Sequence, residues 1–206
     1  MPKNLSSVAR KGLTRVLEPA GIALARLGVS PNAVTVVGTV GVLIGCLGFV
    51  VRGELLLGAV IVTLSMLTDM LDGAVARARG ETSRFGAFLD STMDRVADGA
   101  VFGSLAYWLA TTGRPAAAAA ALLCLVGGQV VSYAKARAEG LGFDCDVGIA
   151  ERGERLVLIG VGAAVSLAGV PYALEIALWL LAALTVTTVG QRVAHVRRRA
   201  REQVGT

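Results

Sequence analysis

The chain has 206 residues, 54% of them hydrophobic, and a mean hydropathy of +0.67. That excludes an ordinary soluble domain and fits a polytopic membrane protein with little mass outside the bilayer. The net charge of +5 suits anionic lipid headgroups; the basic residues are spread along membrane edges with few aromatics, so nucleic acid is a poor partner.

Residues 5–27 predict an amphipathic helix lying in the membrane interface. Leu13, Val16, Leu17, Ala20, Leu24 and Leu27 recur at helical spacing, with Arg10, Lys11, Arg15 and Arg26 elsewhere. Pro19 kinks that helix or starts its second half. The first thirty residues lack a continuous apolar run, so no cleavable signal peptide is visible.

Apolar segments at 33–51, 55–76, 86–110, 116–134, 154–170 and 172–190 predict six transmembrane helices. The expected fold is therefore an all-α polytopic membrane protein with an N-terminal interfacial helix. Its parts are a juxtamembrane helix at 1–30, a six-helix domain at 31–200 and a tail at 201–206. Lys and Arg cluster at both termini, in the second-to-third connector and around the fourth-to-fifth loop, while the other side shows only Arg52 and Arg114. This places both termini in the cytoplasm of a cell that carries the protein in its inner membrane. Cys46, Cys124 and Cys145 are isolated, which indicates neither a disulfide framework nor a zinc site. Gly41 and Gly45, four residues apart, let helices pack closely.

Ser30 is a plausible N-cap for the first span, with Pro31 at N1. The free N–H groups of that turn either attract an anion or are only capped.

The stretch from Asp69 to Asp94 carries four carboxylates in otherwise membrane-grade sequence. Asp69 and Asp72 are spaced i, i+3; Asp90 and Asp94 are spaced i, i+4; each pair shares one helix face. A short polar connector, residues 79–84, predicts a helical hairpin that brings the two pairs together. At ~1.5 Å per residue, Asp69 lies about 21 Å along its helix, and the second pair about 8–14 Å in from the same membrane face. An intramembrane oxygen-rich cluster of this kind suits a hard cation: Mg²⁺, Mn²⁺ or Ca²⁺. The competing reading pairs the acids with Arg77, Arg84 and Arg95 as helix-end ion pairs. Asp98 continues the ladder one turn deeper and reads as structural, pairing with Arg95.

The fourth span ends at Ser132-Tyr133-Ala134-Lys135-Ala136-Arg137-Ala138-Glu139, and the fifth opens with Glu151-Arg152-Gly153-Glu154-Arg155. Lys135, Arg137, Arg152 and Arg155 can all reach one cytoplasmic cavity, and Lys135 with Arg155 is the favoured pair, because Ser132 adds a hydroxyl on the face of Lys135. The alternative for each cation is a snorkelling residue at the membrane edge. His195 reads as an interface residue.

Asp69-x-x-Asp72-Gly73-x-x-Ala76-Arg77, eight residues, then Gly86-x-x-x-Asp90-x-x-x-Asp94 resembles the full signature of the CDP-alcohol phosphotransferases, with no position departing from it. The resemblance implies a membrane enzyme, a homodimer, that uses CDP-diacylglycerol. It implies that Asn32, Ala33, Val34 and Thr35 line the cytidine side of the nucleotide pocket, and that Gly73, Arg77 and Ser83 contact the CDP moiety. The stretches around Lys135 and Arg155 are similar to an actinobacterial branch that joins CDP-diacylglycerol to inositol phosphate. A phosphorylated acceptor needs extra cations near the acids, so this resemblance implies that Ser132, Lys135 and Arg155 bind the acceptor's phosphate; other branches use glycerol 3-phosphate or other alcohols.

For that chemistry, two Mg²⁺ (or Mn²⁺) on Asp69, Asp72, Asp90 and Asp94 clamp the pyrophosphate. Asp94 is the candidate general base for the acceptor hydroxyl. The rival from another class is a divalent-cation transporter. It is disfavoured because the acids lie near one face and no polar ladder continues across.

Overall fold

The computed structural model describes residues 18–80 and 83–204, with the side chains of Asp69, Met70 and Val204 outside that description. The predicted interfacial helix at 5–27 therefore lies mostly outside the described residues. Its last part is helical over 18–26, here α1. The other helices are α2 (Pro31–Leu43), α3 (Leu55–Arg79), α4 (Arg84–Thr111), α5 (Pro115–Gly140), α6 (Arg152–Leu167) and α7 (Ala173–Val204). No strand occurs among the described residues. The chain divides into two compact units, residues 1–104 and 105–206, and α4 runs from one into the other.

Among the described residues, four helices are long and apolar enough to cross a membrane: α2 with its continuation to Arg52, then α3, α5 and α7. The other two predicted spans have simple physical reasons for falling short of that measure. The 28-residue α4 has the length, but Arg84, Asp90, Asp94, Arg95 and Asp98 all fall between its first residue and just past its midpoint. The apolar α6 has only 16 residues, where ~20 are needed to cross the hydrocarbon core upright.

In the first unit, α2 opens as its sequence predicts. The Ser30 hydroxyl accepts from the Ala33 N–H at 3.2 Å, and Pro31 occupies the first turn where no N–H is needed. After Leu43 the helix widens into a π turn (Ile44–Phe49) and then tightens into a 3₁₀ turn (Val50–Arg52). It packs on α3 through small residues. A Cβ added to Gly45 would lie 2.9 Å from Val62 Cγ2, and one on Gly58 would lie 2.6 Å from Val50 Cγ2. The Gly41–Gly45 pair thus serves close helix packing within the chain. Leu56, Leu57, Val60 and Leu64 of α3 are exposed, as suits a surface bathed by lipid. The α1 helix also rests on α3: a Cβ on Gly21 would lie 2.5 Å from Ala74 Cβ.

In the second unit, α5 and α6 pack on α7. Leu174, Leu178 and Leu181 of α7 form the core with Ala120, Ala121 and Cys124 of α5, all at most 1% exposed. At one end, Arg114 is ion-paired with Glu175 and lies over the Trp108 ring, 4.5 Å from its centroid. At the other, the loop of residues 141–151 is drawn onto α7.

Candidate active site

Three elements of the first unit meet around the first turn of α2. The Thr35 hydroxyl, 3% exposed, donates to Asp72 Oδ2 of α3 at 2.6 Å. The same carboxylate takes the Gly73 N–H on its other oxygen. A Cβ added to Gly86, in the first turn of α4, would lie 3.4 Å from Asn32 Oδ1 and 3.1 Å from Ser83 Oγ. A methyl there would be in ordinary contact with Asn32 and slightly tight against Ser83. Ser83 caps α4, accepting the Gly86 N–H at 2.9 Å. Gly80 ends α3 in the left-handed conformation, φ +65°, as helix-terminating glycines do.

The predicted residues of this unit occupy the following positions. Asn32 and Ala33 border solvent, while Val34 and Thr35 face inward. Val34 can therefore serve a ligand only through its backbone. Gly73 is half-buried, with the Arg77 guanidinium 3.3 Å from where its Cβ would be; Arg77 is itself exposed. Asp90 faces solvent and Asp94 is half-buried. Arg95 stands 3.7 Å from Asp94 and 3.8 Å from Asp98, so the expected Arg95–Asp98 pairing is present. Asp98 is 2% exposed. Among the described side chains, no three acidic, histidine or cysteine groups converge as a metal site. The fourth acid, Asp69, has only its backbone described, within α3.

The donor chemistry still fits a hard divalent cation. Asp72, Asp90 and Asp94 offer carboxylate oxygens only, and no thiol or imidazole belongs to the motif. Thr35 and the Gly73 N–H hold Asp72 as a hydrogen-bond acceptor. Such partners behind a ligand fix its orientation.

The second unit brings the acceptor candidates to one region but gives them separate partners. Ser132 donates to Gly128 O at 3.0 Å, the back-bond to the preceding turn that serine often makes in helices. Lys135 reaches Asp146 Oδ1 at 2.9 Å and Glu139 at 3.9 Å. Its ammonium holds the Asp146 carboxyl below the usual range. Arg155 is 1% exposed, so it is not a snorkelling edge residue. Its Nη1 donates to Ala150 O at 3.3 Å, and its guanidinium lies over Gly128, where a Cβ would sit 3.4 Å from Cζ.

Sequence reasoning passed over Arg192, counted there among the terminal positive charges. It is 3% exposed. Its Nε donates to Val147 O at 2.9 Å, its Nη1 to Val131 O, and its Nη2 stands 3.9 Å from Glu151. The sequence signal was its spacing: Thr188, Arg192 and His195 share one face of α7 at i, i+4 and i+7. His195 Nε2 is 3.1 Å from Asp144 O, and Arg198 Nη2 is 3.4 Å from Nδ1. Arginine only donates, so Nδ1 accepts and Nε2 carries the proton given to Asp144 O.

Comparison with known proteins gives this geometry a family. The family model described as CDP-alcohol phosphatidyltransferase matches residues 28–189. The phosphatidylinositol phosphate synthase of Streptomyces avermitilis is 47% identical, over 96% of this chain and 84% of that protein. The enzyme of the same name from Mycobacterium marinum is 47% identical over 90% of this chain and 81% of its own length. Among solved structures, the Mycobacterium tuberculosis phosphatidylinositol phosphate synthase with CDP-DAG bound superposes with a TM-score of 0.83 at 45% identity, covering 88% of this chain and 94% of that one. The same enzyme in complex with manganese and citrate also gives a TM-score of 0.83, covering 87% and 88%. With the aspartate signature intact on α3 and α4 and the match running from just before the α2 cap to the middle of α7, the chain belongs to the CDP-alcohol phosphatidyltransferase family.

Proposed function

We propose that the protein transfers the phosphatidyl group of CDP-diacylglycerol to a hydroxyl of inositol phosphate and releases CMP. The observation that carries this reading is the Thr35–Asp72 hydrogen bond. It joins the turn expected to line the nucleotide pocket to the first acidic pair. The relatives' names and the CDP-DAG bound in one of them support the donor and the acceptor.

Asp69, Asp72, Asp90 and Asp94 would hold two divalent ions, Mg²⁺ or Mn²⁺; the manganese in a related structure supports a divalent metal. When bound, such ions supply charge neutralisation for the pyrophosphate and the CMP leaving group. Asp94 accepts the proton of the acceptor hydroxyl as that oxygen bonds to the β-phosphorus and the bond to CMP breaks. Close positioning rather than a raised pKa makes this carboxylate serve. Asn32, Ala33, Val34 and Thr35 bound the cytidine side, the last two through backbone and hydroxyl. Gly73 allows close approach, and Arg77 and Ser83 contact the CDP phosphates. Lys135 and Arg155, with Ser132, bind the acceptor's phosphate.

The assembly is a homodimer in the cell membrane, with acyl chains of the donor in lipid. All six long apolar segments cross, and the charged start of α4 lies at the cytoplasmic face. The α1 helix lies in the interface at that same face.

An acceptor panel tests the reading. Purified protein with Mg²⁺ and CDP-diacylglycerol should release CMP and form lipid product with inositol 1-phosphate. Free inositol, glycerol 3-phosphate and serine should give little product. Equal turnover with glycerol 3-phosphate would replace the acceptor, and no CMP release with any alcohol would remove the reading.

A further inference from the structure

Residue 150 joins two buried side chains of the second unit. Thr188 on α7 is fully buried. Its hydroxyl donates to Leu184 O at 2.9 Å and accepts the N–H groups of Ala150 at 3.0 Å and Ile149 at 3.3 Å. The carbonyl of Ala150 in turn receives Arg155 Nη1 at 3.3 Å. Ala150 and Arg155 are each 1% exposed. One hydroxyl therefore fixes the N–H side of a residue whose C=O side meets the guanidinium.

The loop is fitted to that hydroxyl. Gly148 has φ +139°, and a Cβ there would lie 2.5 Å from Thr188 Cγ2. Both facts exclude a side chain at 148. Arg192 on Val147 O and His195 on Asp144 O hold the rest of the loop to the same face of α7. The buried Ala150 N–H and the part-buried Ile149 N–H both use the oxygen of residue 188, and a buried donor is costly without an acceptor.

We infer that Thr188 is a positioning residue for the phosphorylated acceptor, orienting Arg155 through Ala150. This rests on the proposal that Arg155 and Lys135 bind the acceptor's phosphate. Valine keeps the shape of Thr188 and loses the oxygen; serine keeps the oxygen.

The test uses the full-length protein in lipid nanodiscs with Mg²⁺, varying inositol 1-phosphate and CDP-diacylglycerol in turn. Thr188→Val should raise the KM for inositol 1-phosphate about tenfold and leave the KM for CDP-diacylglycerol within about twofold. Thr188→Ser should restore the acceptor KM. In an Arg155→Ala background, Thr188→Val should add no further rise, since both act on one group. Should Thr188→Val fail to fold, Thr188→Cys, whose thiol is a far weaker acceptor in a side chain of similar size, should reproduce the KM rise. A lowered melting temperature with an unchanged acceptor KM would make the residue merely structural and overturn the inference. That outcome, with Lys135→Ala or Arg155→Ala still raising the KM, would leave the acceptor reading standing. If neither Lys135→Ala nor Arg155→Ala raises it, the acceptor reading itself fails and the inference falls with it.

Discussion

The two units treat charge in opposite ways. In the first, Asp90 faces solvent, Asp94 is half-buried, and Asp72 is steadied by a hydroxyl and a neighbouring N–H. In the second, Arg155 and Arg192 are 1% and 3% exposed and fastened to main-chain carbonyls. A carboxylate that is to exchange a cation, as proposed for Asp72, would have to stay reachable, and here Thr35 and the Gly73 N–H steady it. A guanidinium that shapes a pocket can be locked, because its five donors tie helices and loop together while the charge persists. Changes in the first unit should therefore strike turnover, and changes in the second should strike the fold and the acceptor.

The largest effect should come from the first unit. Asp94→Asn should lower kcat by about 10²–10⁴-fold while CDP-diacylglycerol still binds; near-normal turnover would end the assignment of Asp94 as base. Next is Arg192→Ala, which strands Val131 O and Val147 O. It should cost about 3 kcal/mol, read as a lower midpoint in thermal or denaturant unfolding. A wild-type midpoint would show that the second unit is not locked in this way. Thr35→Val should follow, weakening divalent-metal affinity about tenfold or more with the fold retained. Metal titration by calorimetry measures it, and unchanged affinity would mean that Asp72 needs no support from α2.

The smallest effect should be that of Asp146→Asn, since Asp146 is 74% exposed in its side chain. The pair with Lys135 should contribute less than ~1 kcal/mol. Lys135 lowers the carboxyl's pKa in the folded state. The contribution is thus present above the ordinary aspartate value of ~3.9 and is lost as pH falls through the lower folded one. The difference in melting temperature between wild type and Asp146→Asn should be flat from about pH 5 to 8, begin to shrink near pH 4, and vanish only below the lower folded value. A difference that changes near neutrality would point to another group.

The sequence carried the helices and the motif because both are local patterns. Apolar runs and Ser30-Pro31 marked helix starts, and the aspartate spacing marked one face. The pairing of Arg95 with Asp98 was readable for the same reason, being one turn apart. Partners far along the chain were not. Nothing near Lys135 in sequence announces Asp146, and Arg192 looked like one more terminal cation until its distant carbonyls were seen. Thr188 carries no catalytic signature at all; its role depends on a loop nearly forty residues earlier folding back to it. Ser132 shows the same limit over a shorter range: its hydroxyl donates to the carbonyl of its own preceding turn, a partner that its place beside Lys135 does not announce.

The π turn at Ile44–Phe49 sets a rule for how this chain tolerates changes in length. Gly41, Gly45 and Val50 all meet α3, at intervals of four and then five residues. In a regular helix, five residues rotate a side chain about 140° past its starting direction. The wide turn absorbs that extra residue and keeps Val50 beside Gly58. Deleting one residue between 46 and 49 should thus leave a plain helix with its contacts still in line, whereas an insertion there would rotate the whole outer end of the first span away from its neighbour.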